Sequence, residues 1–371
     1  MNEFVPGRLE MARRIRGLTG SAVARSVDIS AEWYSKIEGD HQVPTEPVVR
    51  DLARALEFPV DFFYRPVPAR PPVDAFHFRA SSRLLKKDEE TARALSTVAM
   101  ELSVWMDDTY RLPAPAIPEI QDLVDGDLSL DAESAAEALR LSWGLGYAPI
   151  RNLMLLLESK GARIFSAGGP LKAIDAYSFR DRATPVIFLN VHKTAERLRF
   201  DLAHELGHLL LHGGSLNFEN SKQKEQEAND FASAFLMPRQ DVLGSVRRGL
   251  LLEDILRLKE RWGVSAMALT MRAHRLGLIT EWVYRTLAQQ LASAGFRRSE
   301  PGSSLAPESS SLLTQLMNDL RARDEGFLEL ARVLDVRAQD VRDLMLGLVT
   351  FAVPGYATGK GRSTADLRVV D

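Results

Sequence analysis

Apolar residues recur at helical spacing along most of this chain and alternate at strand spacing in one central stretch. Residues 8–16 predict a first helix. Thr19 caps a second that includes Val23, Ala24 and Val27, and Ser30 caps a third that runs through Ile37. Gly39 and Pro44 break the chain before a fourth helix over 48–56. Two short helices joined through Val27-Asp28-Ile29-Ser30 suit a helix-turn-helix. The prolines of 66–72 form a stiff linker, and Phe76-His-Phe-Arg-Ala leads into an amphipathic helix from about Asp88 to Tyr110. Helices follow at 132–143 and 150–160, then strand-like runs at 162–165, 172–179 and 185–190. An apolar helix over 198–211 ends at Gly213-Gly214, and the next reaches Met237 and stops before Pro238. Residues 253–262 and 268–276 repeat the helix-turn-helix spacing. That pair is either a second DNA reader or, as we favour, a cover packed on the core.

Composition narrows this picture. A chain of 371 residues has room for two or three cores. With no cysteine, it has no disulfide framework, no Cys-ligated zinc finger and no thiol nucleophile. Lys plus Arg number 47 against 50 Asp plus Glu, so no global positive field announces nucleic acid. Nothing reads as a membrane span or secretory signal, and a cytoplasmic protein with no membrane partner is expected.

The most specific chemistry is His204-Glu-Leu-Gly-His208. On a helix, positions four apart share a face, so His204 and His208 can grip one metal ion while Glu205 serves as base toward water. Any metal here must be held by His and carboxylate, and a hydrolytic site needs a third protein ligand. Glu225 is that candidate. Asn229, one turn on, can hydrogen-bond a ligand imidazole, and Glu227 is the reserve ligand. His212 lies a further turn along, about 6 Å away, and is read as a helix-terminal or pocket-wall residue. Tyr177 is a candidate stabiliser of the anionic transition state because it stands on the strand just upstream.

In the N-terminal unit the second helix of the pair would enter a major groove. Its candidate DNA contacts are Ser30, Glu32, Trp33, Tyr34, Ser35 and Lys36, with Arg13, Arg14 and Arg16 on phosphates. Residues 1–65 hold nine Lys plus Arg and ten Asp plus Glu, so affinity must come from local charge placement. A plain helical bundle used for dimerisation shares the same periodicity.

The first 65 residues resemble an XRE-type (Cro/C1-like) helix-turn-helix. Residues about 140–280 resemble the ImmA/IrrE family of metallopeptidases, through Trp143-Gly-Leu-Gly-Tyr-Ala-Pro-Ile150, Arg199-Phe-Asp-Leu-Ala-His-Glu-Leu-Gly-His208, Glu225-Gln-Glu-Ala-Asn-Asp-Phe-Ala232, Phe235-Leu-Met-Pro238 and Trp262-Gly-Val-Ser265. The resemblance implies a zinc- or manganese-dependent endopeptidase acting on protein repressors under stress or in mobile-element control. His204, His208 and Glu225 fall on its metal-ligand positions and Glu205 on its general base. One departure is Gly20, where XRE domains often carry Gln.

The expected architecture is therefore mainly α with a small β-sheet (α+β). It comprises a helix-turn-helix domain over 1–65, a proline-rich linker and helical connector over 66–130, and a gluzincin-like HExxH domain over 131–280. A C-terminal helical domain over 281–353 and a flexible tail over 354–371 complete it. Three functions suit this plan. One is a DNA-binding regulator that cuts a repressor or itself; the second is a non-proteolytic regulator that senses a metal, ligand or partner; the third is an interaction scaffold in which neither half keeps its activity. The expected partners are operator DNA, a protein substrate and a second copy of the chain, since palindromic sites mirror a protein two-fold.

Overall fold

The computed structural model describes residues 3–68, 77–79, 85–123, 130–171, 174–213, 221–246 and 250–349. The tail expected from residue 354 and the glycine at 214 lie outside them. Helices dominate around one four-stranded sheet.

Helix α1 (Pro6–Ile15) starts on a proline, which has no amide to leave unpaired there. α2 (Gly20–Ser26) and α3 (Ala31–Glu38) are capped by Thr19 and Ser30, whose side chains accept from the Ala22 and Trp33 amides. Asp28, at φ 55°, makes the tight turn between them. α4 (Glu46–Leu56) and a 3-10 turn (Val60–Tyr64) close the bundle over Leu9, Ile15, Val23, Ile37, Leu52 and Phe62.

Strand β1 (His77–Arg79) and the long α5 (Lys86–Thr109) follow, then α6 (Ala132–Ser142) and α7 (Leu153–Ser159). Strands β2 (Arg163–Ser166), β3 (Ala176–Asp181) and β4 (Thr184–Leu189) complete the sheet in the order β1-β3-β4-β2. β2 and β4 run parallel; the other pairs are antiparallel. The central strand β4 is buried on both faces from Pro185 to Leu189, which is why it reads as a continuous apolar run. α5 covers one face and α8 (Ala195–Leu211) the other. α9 (Ser221–Leu236) crosses α8, and α10 (Arg239–Ser245), α11 (Leu252–Trp262), α12 (Ala266–Arg275) and α13 (Glu281–Ser293) complete this layer. α12 is a cover: its buried Arg272 bonds Glu133 of α6 and the Met237 carbonyl.

The C-terminal helices α14 (Ser311–Ala322), α15 (Phe327–Leu334) and α16 (Ala338–Met345) return to the start of the chain. Arg16 forks onto Asp340 at 2.6 and 3.0 Å, Arg65 meets Asp335 at 3.0 Å, and Arg337 meets Glu57 at 2.9 Å. On α5, Glu101 takes the buried Arg8 at 2.6 and 3.0 Å. The helix-turn-helix unit is thus clasped from two sides.

Glu158 at the end of α7 accepts from the Ser310 hydroxyl and from the Ser311 and Leu312 amides, so it caps α14 across the chain. Burial raises its carboxyl from the ordinary 4.5 to about 7, against the opposing pull of those bonds. The folded state therefore keeps a proton that the unfolded chain has released. The associated stability is fully present below about pH 4.5 and lost as pH rises to about 7, by on the order of 3 kcal/mol. Urea midpoints of wild type and Glu158→Gln at pH 5 and 8 measure this. The expected result is a pH-dependent gap between the two proteins; an equal gap at both values would refute it.

Candidate metal centre and DNA-binding face

α8 begins at Thr194, whose side chain accepts from the Arg197 amide, and it ends at His212. His204, Glu205 and His208 are all buried within it. α9 crosses at Gly207, where a Cβ would stand 3.0 Å from Phe231 and 3.3 Å from the Ala228 backbone. A side chain there would press on Phe231 and on the Ala228 backbone, so glycine eases the approach that carries α9 close enough for Glu225 to reach the histidines.

His204 Nε2 and His208 Nε2 are 3.0 Å apart, and the Glu225 carboxylate lies 3.4 Å from the first and 3.1 Å from the second. Their candidate ligand atoms all fall within 4.8 Å of one another. A tetrahedral ion with bonds near 2.0–2.1 Å spaces its ligand atoms roughly 3.3 Å apart, so these separations match that geometry. The proton inventory agrees. Asn229 Oδ1 accepts from His204 Nδ1 at 3.1 Å, leaving the Nε2 lone pair toward the cluster. Glu227 accepts from His212 Nε2 at 2.9 Å, so His212 Nδ1 accepts from His208 Nδ1 at 3.0 Å and frees the second Nε2. Burial lowers the His212 pKa, which favours the neutral ring that this chain of bonds requires. Two imidazole lone pairs and a carboxylate facing one another make a donor set that suits a divalent cation.

Glu205 projects toward the sheet, where Ser178 donates to its Oε2 at 2.6 Å. Alternation along β3 turns Tyr177 to the other face. There its hydroxyl meets Ser96 of α5 at 3.1 Å and its ring stacks on Phe188 at 4.6 Å. Tyr177 is therefore a core residue, and its expected place beside a transition state is corrected. Glu227, the reserve ligand, is likewise assigned to His212 instead. Sequence reading missed Ser178 and the His212–Glu227 pair. A serine set between Tyr177 and Phe179 in a strand-like run was the available signal for the first.

The outlying motif runs frame this centre. Arg140 donates to the carbonyls of Gly146, Ala148 and Phe235, tying the glycine-rich turn after α6 to the end of α9. Arg199 of α8 donates to the carbonyls of Ile150 and Trp262 and pairs with Glu308.

On the helix-turn-helix, Glu32, Ser35 and Lys36 are exposed on α3, Trp33 is half-buried and Ser30 serves as cap. Tyr34 is only 1% exposed and bonds Glu38, so it packs instead of reading bases. A Cβ on Gly20 would stand 3.1 Å from the Tyr34 ring, a tight contact that favours glycine there. The three arginines are also corrected. Arg13 forks onto Glu38, Arg14 pairs with Glu10 and Glu90, and Arg16 pairs with Asp340 while lying over Phe58. Each spends its charge inside the protein.

Comparison with known families agrees with both halves. Residues 7–61 match the sequence model of a helix-turn-helix domain, and residues 157–274 match that of peptidase family M78, the IrrE N-terminal-like domain. No curated protein matches the chain. Among the described residues no helix is long and apolar enough to cross a membrane. The chain thus joins a unit that matches a helix-turn-helix domain to one that matches the IrrE N-terminal-like domain of peptidase family M78.

Proposed function

We propose that the chain is a DNA-binding regulator whose M78 domain is a working metal-dependent endopeptidase, with a protein substrate of the repressor type. The observation that carries this is the convergence of His204, His208 and Glu225 beside a base held by Ser178. Those three residues would hold zinc or manganese. When bound, the ion supplies Lewis acidity toward water and the scissile carbonyl. Glu205 takes the water proton on its carboxylate and delivers it to the leaving amine nitrogen. Ser178 fixes the carboxylate through Oε2, and Asn229 and His212 hold the two imidazoles in the tautomer that presents Nε2. We divide the chain at 65, 130, 280 and 353, place it in the cytoplasm with its DNA, and expect a homodimer on a palindromic operator under stress or mobile-element control.

The test compares zinc-loaded wild type and Glu205→Gln in a lysate of the source organism, with new protein N-termini read by mass spectrometry. Termini made only by wild type establish the peptidase and name its substrate. Identical profiles favour the second reading, a regulator that senses metal or partner. The ion-paired clasp between the DNA-binding unit and the rest of the chain favours that reading, because it ties the two functions mechanically.

For the DNA-binding half, Lys36→Ala is expected to weaken binding to generic duplex DNA. It should reduce the slope of log affinity against log salt by about 1. Arg16→Ala should leave that slope unchanged, since its charge is already neutralised by Asp340. Anisotropy across a salt series reads both, and a larger slope change for Arg16→Ala would restore it as a phosphate contact.

A further inference from the structure

β3 has β4 on one edge and β1 on the other. β1 comes from the segment between the two family-matched stretches, so it lies outside the residues that match the M78 model. Its register sets His77 opposite Ser178, Phe78 opposite Tyr177 and Arg79 opposite Ala176, antiparallel. Facing Cα atoms in such a pair lie about 4.5–5.5 Å apart, so the β1 backbone runs directly beside Ser178. Ser178 is the residue whose hydroxyl binds Glu205 at 2.6 Å. Remove β1, and the main-chain groups of 176–178 become an open sheet edge next to the candidate base, which is the template that captures extended peptides.

We infer that the β3 edge is the peptide-binding strand of this site, and that β1 is the chain's own occupant, which a substrate must displace. The term substrate rests on the peptidase reading; the exchange of strands does not. Recognition through main-chain bonds selects conformation over sequence, so the edge takes extended segments: unfolded chain, linkers and long loops. A tethered strand competes at an effective concentration in the millimolar range, which keeps the edge closed to weak peptides. β1 spans three residues and offers few bonds, so a longer strand can replace it.

The test uses the full chain loaded with zinc. Residues 76–80 are replaced by Gly-Ser-Gly-Ser-Gly in a Glu205→Gln background, and a fluorescein-labelled peptide of residues 74–82 is titrated in. The expected result is binding about tenfold tighter or better than to the unreplaced chain. With Glu205 restored, the replaced chain should cut unfolded casein about tenfold faster than wild type, and the unlabelled peptide should inhibit it. Phe78→Pro weakens the same strand by a second route and should act in the same direction should the replacement not fold. Equal peptide binding with and without β1 overturns the inference. Tighter peptide binding without casein cleavage by any version upholds the strand exchange and removes the peptidase reading. Cleavage of wild type within 76–80, absent in Glu205→Gln, would make β1 a substrate and overturn its role as occupant.

Discussion

Glu205→Gln is expected to keep its metal and to lose cleavage by about two to four orders of magnitude, the usual worth of a positioned general base. Glutamine has nearly the shape of glutamate, and its amide oxygen still accepts from Ser178, so the packing between α8 and β3 persists. The three candidate ligands, His204, His208 and Glu225, are untouched. What goes is the capacity to take a proton. Metal content by mass spectrometry, thermal midpoint and release of a fluorogenic peptide form one comparison. Full activity in a metal-loaded Glu205→Gln protein would remove the residue from the mechanism. Loss of metal together with activity would make it a structural partner of the site.

The second large effect concerns His212. His212→Phe fills a similar volume but leaves the buried His208 Nδ1–H without its acceptor, so the ring loses both a fixed tautomer and a fixed orientation. Changes to groups that orient metal ligands typically cost ten- to a hundredfold in affinity, and about that loss is expected here. Glu227→Ala acts one bond further out and should cost less, with Glu227→Gln milder still because its amide oxygen can accept from His212 Nε2. Asn229→Ala is the matching change on His204. Competition against a chromophoric chelator measures each variant without any peptide substrate. An unchanged zinc affinity in His212→Phe would reduce the residue to a helix terminus.

Local chemistry was legible in the sequence, and cross-chain chemistry was not. The caps Thr19 and Ser30 mark α2 and α3 because a cap is written within four residues. Spacing on one helix was enough to bring His204 and His208 together as the expected pair. The same logic paired Glu225 with Asn229 on α9, and the structure sets both against the histidines of α8. The errors share a cause. Arg13, Arg14 and Arg16 look like a phosphate-binding stripe until Glu38, Glu90 and Asp340 arrive from elsewhere in the chain. Tyr177 stands out in the sequence only for its place on the strand just upstream, and proximity along a strand does not say which face meets the helix. β1 was invisible for a similar reason: three residues carry too little pattern to specify a strand whose partner lies about a hundred positions away.

The clasp also governs what a cut would look like. Residues 8 and 16 are held by Glu101 and Asp340, and residue 65 by Asp335, all on the far side of the linker. A chain nicked anywhere between residues 68 and 85 would thus remain a complemented pair of fragments. It would elute as one species from a sizing column and resolve into two bands only in detergent. Proteolysis in that segment is consequently not the same event as release, and freeing the DNA-binding fragment needs a separate force that pulls these ion pairs apart.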